Sequence, residues 1–282
     1  SAFLRNPPRL IGFSMDMQDL MAHESLKRVV IILDEIEYIT PTISGPLSAH
    51  WDGDYNFFWQ AIRSVCQESK GAISFIIAGV NPLCATAPRF NDMPNPIFQL
   101  VQPSYLDPFS KESVREMVRS IGRLSQMTFD EDVYMYLQKR FGGHPFLIRI
   151  ACSELWRSLS FTDDEKFVQV SVHDFAKIKQ QIKSRLTQPV KDILLSLLWW
   201  YKEEYDVLRI LADGDKDFVG SYIKAHPDSL LQFARYGLLE ETSRDGFQIR
   251  DVQDFLREHG GEYEKELNPF RRGDFPPEVL PT

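Results

Sequence analysis

The sequence predicts an α/β fold in which a parallel sheet precedes a mostly helical region. Two apolar runs, Val29–Leu33 and Ala72–Gly79, have the composition of strands that are buried on both faces by helices. Between them, apolar residues recur at helical spacing from Phe57 to Cys66. A strand, a helix and a second strand in this order form a βαβ unit, in which the two strands are parallel.

Length and composition are those of an ordinary globular protein. The 282 residues allow about two domains, and a hydrophobic content of 43% is enough for sizeable cores. The formal net charge of −8 argues against a basic nucleic-acid surface over the whole chain, but a local basic patch is compatible with it. The apolar runs are too short to span a bilayer, and no secretory signal begins the chain. We therefore expect a cytoplasmic protein with no membrane partner.

The residues that follow the two predicted strands are candidates for nucleotide chemistry. Asp34 and Glu35 come directly after the first strand, and Asn81 comes soon after the second. Parallel sheets bind ligands where their strands end. Asp34 can hold Mg²⁺, usually through water, Glu35 can polarise an attacking water, and Asn81 can hydrogen-bond that water or a terminal phosphate. Two simpler interpretations stay open: a core strand that ends in acids, and an asparagine that caps a turn before Pro82.

The helical region contains local signals for where helices begin and end. Ser110 is a good N-cap for a helix whose first turn contains Glu112. Gly142 and Gly143 predict that a later helix ends in left-handed geometry. Pro145 is well placed to start the next helix.

After residue 160 the sequence predicts a separate, mostly helical module. Helices are predicted over 172–186, 191–201 and 227–236, and the Asp-Gly pair at 245–246 predicts a β-hairpin behind them. Helices followed by such a hairpin resemble a winged helix. The stretch 227–242 contains one basic residue, Arg235, against three acids, which is poor chemistry for binding phosphates. A structural or autoinhibitory winged helix is therefore favoured over one that reads DNA.

These motifs together resemble STAND-type ATPases, a signalling branch of the AAA-like P-loop NTPases. The first strand, followed by Asp34 and Glu35, is similar to a Walker B motif. The resemblance to the family extends over roughly residues 25–160. The other segments that carry it are Gly79–Pro82, Asn95–Phe98, Leu106–Ser110, Met127–Asp130 and Gly142–Leu147. The Walker A motif, G-x-x-x-x-G-K-[ST], is not present, because no Gly-Lys dipeptide occurs in the chain. We expect either a fragment of a longer protein that carries the motif upstream or an ATPase fold that has lost it.

The resemblance implies a P-loop NTPase-like parallel sheet with a helical lid, followed by a mostly helical winged-helix domain. The predicted divisions are a partial P-loop NTPase α/β core over 1–104, a helical lid over 105–160, a connector helix over 161–186, a winged-helix-like domain over 187–260 and an extended tail over 261–282. In this family Asp34 would hold Mg²⁺, Glu35 would act as base or position water, and Asn81 would be the sensor 1 residue.

The resemblance also implies which residues of the lid would contact the nucleotide. Pro145 would pack on the adenine of ATP or ADP, and His144 or Arg149 would be available to reach phosphate from the same helix. Arg149 is about one turn beyond Pro145, so both can face one side of that helix. For His144, helix capping or simple exposure is an equally open interpretation.

The function implied is that of an ATP-binding and ATP-hydrolysing regulatory core in signalling or antiviral defence. Its conformation and self-association would change with nucleotide state. The partners expected are further copies of the chain on activation, and an effector domain or partner protein. Two alternatives remain: a nucleotide-independent scaffold with a degenerate ATPase fold, and an AAA-type ATPase with a DNA-binding winged helix.

Overall fold

The computed structural model describes residues 12, 15–17, 19, 27–41, 51–90, 92–98, 100–159 and 167–261. They form two compact units that divide between Ser104 and Tyr105. Helices and short parallel sheets are both present, so the α/β class predicted from the sequence is confirmed. None of the helices in these ranges combines the length and the apolar composition that crossing a bilayer requires.

The first unit is built on two parallel strands, β1 (Val29–Leu33) and β2 (Ile73–Ile77). They pair in register, with their first residues opposite each other and their last residues opposite each other. Helix α1 (Trp51–Glu68) lies between them in sequence. The predicted strand–helix–strand order and the parallel pairing are therefore confirmed.

The two faces of this sheet differ in exposure. The odd-numbered residues of β1 pack into the apolar core of the unit. On the opposite face, Val30, Ile32 and Ile76 are 55%, 66% and 53% exposed. The expectation that both faces are buried is thus wrong for the described part of the chain. An apolar run predicts a strand, but it does not specify which elements cover that strand.

Short elements follow each strand of the first unit. A 3-10 helix (Ile36–Ile39) follows β1, and α2 (Leu83–Thr86) follows β2. An antiparallel pair of two-residue strands, β3 (Arg89–Phe90) and β4 (Met93–Pro94), comes next. The aromatic rings of α1 and β3 pack edge to face in the core, an arrangement that aromatic pairs prefer.

The second unit is mostly helical and has one continuous apolar core, which extends from its first helix to its last. Its elements are α3 (Lys111–Leu124), β5 (Met127–Phe129), α4 (Glu131–Phe141), α5 (Pro145–Ser158), β6 (Val168–Val170), α6 (Val172–Lys177), α7 (Lys179–Trp200), α8 (Lys202–Asp213), α9 (Lys216–Ala225), α10 (Leu231–Arg235) and α11 (Arg250–His259). Strands β5 and β6 pair in parallel.

Helix α7 has 22 residues and packs against α5, α8 and α11. Two helices, 172–186 and 191–201, are predicted from the sequence, whereas the structure has the short α6 followed by one continuous α7. Pro189 lies inside α7 and cannot donate a helical hydrogen bond. Buried apolar residues on both sides of Pro189, Leu186 and Val190, hold the helix in the core. Tertiary packing therefore outweighs the local helix-breaking signal.

The predicted helix boundaries around residues 110 and 142–145 are confirmed. The Ser110 hydroxyl accepts a hydrogen bond of 3.2 Å from the Ser113 backbone N–H and caps α3. Gly142 and Gly143, with φ of 58° and 76°, end α4 in left-handed geometry. Pro145 is the first residue of α5.

A short antiparallel pairing forms where the sequence predicts a hairpin. Leu239 lies opposite Phe247, and two hydrogen bonds of 2.9 Å flank this bridge. Helix α11, which the sequence patterns do not predict, follows directly and packs into the core. The winged-helix interpretation stays a prediction. Of the predicted tail, 261–282, the described ranges include only the first residue.

A buried ion pair links α4 to α11. Arg140 Nε and Nη2 donate to the two carboxylate oxygens of Asp251 at 3.1 and 3.0 Å. Arg140 Nη1 also donates to the Tyr136 hydroxyl at 2.8 Å. The two charged side chains are only 13% and 12% exposed. The helices predicted as a lid and the helix after the hairpin are therefore joined by this ion pair as well as by the shared core.

Candidate functional site

The turn after β1 carries the two predicted acids, Asp34 and Glu35, and both are exposed. Asp34 Oδ1 accepts a hydrogen bond of 2.9 Å from the Glu35 backbone N–H. Glu35 has φ 54° and ψ 44°, a left-handed conformation that costs a non-glycine residue roughly 1–2 kcal/mol. This strained turn leads from β1 into the 3-10 helix and leaves both carboxylates in solvent.

The 3-10 helix packs on the loop that follows β2. The Ile36 backbone N–H donates to the Ala78 carbonyl at 3.1 Å. The side chain of Glu37 accepts a hydrogen bond of 3.2 Å from the Val80 backbone N–H. A Cβ atom on Gly79 would overlap the Glu37 carboxylate and crowd the Ile36 side chain. These contacts fasten the loop after β2 to the turn after β1.

Glu37 is a buried carboxylate that the sequence patterns do not single out. It is 6% exposed, and burial raises its pKa above the ordinary value for glutamate. The hydrogen bond from Val80 opposes this rise, whereas the charges of Glu35 and Asp34 add to it. The only sequence signal is its place in the pattern Asp-Glu-x-Glu, and this pattern does not show that the third acid turns inward.

Two substitutions of Glu37 separate its hydrogen bond from its charge. Glu37→Gln keeps an acceptor for the Val80 N–H, so we expect the first unit to keep its stability at neutral pH. Glu37→Leu removes that acceptor and is expected to lower the free energy of unfolding by about 1–3 kcal/mol. Hydrogen exchange of the β1 and β2 amides measures this difference.

The pH dependence of the same variants tests the burial of the charge. A carboxyl whose pKa is raised by folding contributes stability that is full below its unfolded-state pKa and is lost as the pH rises through its folded-state pKa. As the pH rises between these two pKa values, the stability of the wild type should therefore fall relative to that of Glu37→Gln. Parallel pH profiles for the two proteins would contradict a buried, titrating Glu37.

Asn81 lies in the loop that Glu37 holds, and its side chain is 6% exposed. Its Oδ1 atom accepts a hydrogen bond of 2.9 Å from the Leu83 backbone N–H at the start of α2. This is the turn-capping contact of the simpler interpretation. The Nδ2 group makes no hydrogen bond within the described ranges and remains the donor that Asn81 can offer to water or phosphate.

In the second unit, the two glycines before α5 pack closely on the segment that leads into α3. The Phe109 backbone N–H donates to the Gly143 carbonyl at 3.0 Å. A Cβ atom on Gly143 would overlap the Phe109 backbone. This close approach fixes the chain just before His144, the N-cap of α5, and Pro145, its first residue.

His144 is half-buried at the start of α5. Burial lowers the pKa of its imidazole below the ordinary value for histidine. The ring is therefore neutral at pH 7. Its Nδ1 atom is buried and has no hydrogen-bond partner among the residues that the structure describes. A neutral imidazole can donate or accept a hydrogen bond, but it brings no positive charge to a phosphate.

Arg149 is exposed on α5 and lines a cavity of about 250 Å³ between α3, β5 and α5. Neither His144 nor Pro145 lines this cavity. The structure thus places the three predicted catalytic and metal residues on two adjacent strand ends of the first unit. It places the three predicted nucleotide contacts on α5 of the second.

A magnesium site at Asp34 is compatible with the residues present. Within the described ranges, no group of three or more His, Cys, Asp or Glu side chains is arranged to hold a metal ion. Mg²⁺ does not need one, because it is usually bound through one or two carboxylates, water and substrate phosphates. The exposed carboxylate of Asp34 fits that mode of binding.

Comparison with known proteins identifies no relative of this chain: no family model, no curated protein and no solved structure matches it.

Proposed function

We propose that the chain contains part of the ATP-binding and ATP-hydrolysing core of a STAND-like signalling or defence ATPase. The observation that carries the proposal is the buried contact of Glu37 with the Val80 backbone, which fastens the Asn81 loop beside the Asp34–Glu35 turn. Phosphoryl transfer to water depends mostly on positioning and on electrostatic stabilisation by the protein. Two strand ends that are locked together supply such positioning.

In this proposal each polar group at the strand ends has one task. Asp34 would hold Mg²⁺, which when bound would supply positive charge to the phosphates. Glu35 orients the attacking water or accepts its proton. The Nδ2 group of Asn81 donates to the same water or to the terminal phosphate. The left-handed turn at Glu35 is consistent with strain held at a functional site.

The residues at the start of α5 would bind the base of the nucleotide. Pro145 offers an apolar surface to adenine, and the neutral His144 beside it offers a hydrogen bond. Arg149, on the same helix, stays a predicted contact for phosphate. Exchange of ADP for ATP would then change the conformation of the protein and its self-association.

Glu35→Gln tests the proposed hydrolysis. In the protein expressed from its complete reading frame, the variant is expected to reduce ATP turnover by at least about 100-fold, because the amide cannot accept a proton. Bound ATP should remain, since the binding contacts are unchanged. Phosphate release and chromatography of the bound nucleotide measure the two effects.

The matched control is Glu116→Gln, which alters an exposed glutamate of α3 and should leave turnover unchanged. Wild-type turnover in Glu35→Gln would remove the assigned role of Glu35. A protein that neither binds nor hydrolyses ATP would instead support the scaffold alternative, which the missing Walker A motif favours.

The DNA-binding alternative has less support. Arg235, the one basic residue in 227–242, has its guanidinium 4.8 Å from the centre of the Tyr105 ring. Its Nη1 atom also donates to the Tyr105 hydroxyl at 3.2 Å. These contacts hold the basic group within the second unit. Duplex binding that weakens steeply with salt would nevertheless revive this alternative.

A further inference from the structure

The cavity of about 250 Å³ in the second unit lies between two helices with matching patterns of residues. Helix α3 and its C-cap contribute positions 117, 118, 121, 122 and 125, and α5 contributes 148, 149, 152, 153 and 156. Each set follows the spacing i, i+1, i+4, i+5, i+8, which is one face of a helix. The cavity is therefore the space between two facing helix surfaces.

Small side chains in these two faces leave the space open. Gly122 of α3, Ser125 at its C-cap, and Cys152 and Ser153 of α5 all line the cavity. The ring of Phe129 lies so close to Gly122 that a Cβ atom there would overlap it. Larger apolar side chains, Trp156 among them, form much of the remaining wall.

Arg149 provides the only charge among the twelve residues of the wall. Its guanidinium makes no hydrogen bond or ion pair within the described ranges. Burial raises the pKa of the Cys152 thiol to about 12, so this side chain stays neutral. The solvent-open cavity thus combines a mostly apolar wall with one cation that makes no ion pair within the described ranges.

We propose that this cavity binds a small apolar monocarboxylate, whose charged end pairs with Arg149. An engineered apolar cavity of about 150 Å³ holds benzene, so about 250 Å³ has room for such a ring with a short chain. A carboxylate is the anion that a guanidinium binds in a bidentate manner. A few polar groups in an apolar pocket are the usual arrangement of small-molecule sites.

Two probes that differ only at the charged end test the proposal. Calorimetric titration of the chain with 4-phenylbutyrate should show binding, and 4-phenylbutan-1-ol should bind at least about tenfold more weakly, because it lacks the ion pair. Arg149→Gln should reduce 4-phenylbutyrate binding by about the same factor and leave the binding of the alcohol unchanged. Arg157→Gln, on the same helix but outside the cavity, should bind both probes like the wild type.

A second pair of variants tests where the probes bind. Ser153→Phe fills the cavity from an exposed position and should abolish the binding of both probes, whereas Ser120→Phe, outside this cavity on α3, should not. Equal affinity for the two probes, no binding by the wild type, or no effect of Arg149→Gln would overturn the proposal. So would self-association that Ser153→Phe abolishes, because a second copy would then occupy the site. Loss of ATP binding in Arg149→Gln with unchanged 4-phenylbutyrate binding would overturn the proposal and would support the predicted contact of Arg149 with phosphate.

Discussion

Asp251→Ala is expected to lower the free energy of unfolding of the second unit by about 3–5 kcal/mol, because it leaves the charge of the largely buried Arg140 guanidinium without its counterion. The pair is nearly enclosed, and both carboxylate oxygens accept hydrogen bonds from Arg140. Burial alone would lower the pKa of Arg140, but the hydrogen bonds and the charge of Asp251 outweigh it and raise the pKa. Denaturant unfolding followed by circular dichroism measures the effect.

The chain contains a natural control for this ion pair. A second ion pair, between Lys183 Nζ and Glu258 Oε1 at 2.6 Å, links α7 to α11, but both of its side chains are 45% exposed. Glu258→Ala is therefore expected to destabilise the second unit much less than Asp251→Ala does, because solvent screens an exposed ion pair. Similar losses in Asp251→Ala and Glu258→Ala would show that the Arg140–Asp251 pair is not buried in solution.

Gly143→Ala is expected to destabilise the second unit by about 2–3 kcal/mol, for two reasons that add. A residue with a Cβ atom in the left-handed conformation costs roughly 1–2 kcal/mol. The new Cβ atom must also displace the Phe109 backbone and break its hydrogen bond to the Gly143 carbonyl, at a cost of about 1 kcal/mol. Thermal or denaturant unfolding measures the loss, and hydrogen exchange at the Phe109 amide reports the contact itself.

Two other glycines separate these causes. Gly214 has φ 101° but open space around its Cβ position, so Gly214→Ala should show the conformational cost alone. Gly220 lies inside α9, and a methyl group added there would have no other atom within 4 Å, so Gly220→Ala should raise stability by about 0.5–1 kcal/mol. A loss in Gly143→Ala no larger than that in Gly214→Ala would argue against close packing at Phe109.

Features that depend on neighbours in sequence could be predicted. The Ser110 cap, the two glycines and Pro145 act within one helical turn, so the residues themselves determine the backbone. The parallel pairing of β1 and β2 follows from two apolar runs and the helix between them. The pairing of β5 with β6 could not be predicted in this way, because the two three-residue strands are far apart in sequence.

The same distinction applies to the candidate site. Asp34, Glu35 and Asn81 can be selected from the sequence because they closely follow apolar runs. Glu37 cannot, because its importance depends on the approach of the loop after β2, which no local pattern encodes. The exposure of Val30 and Ile32 is unpredictable for the same reason, since it depends on which elements cover the sheet.

If nucleotide binds at Pro145 as proposed, the continuous core of the second unit would determine how that binding acts on the rest of the unit. Helix α7 is about 33 Å long and touches both α5, which carries Pro145, and α11. Close-packed cores resist internal deformation, so a displacement at Pro145 would move the helices of the second unit together. The length of α7 would then set how far from Pro145 such a displacement is felt within the unit.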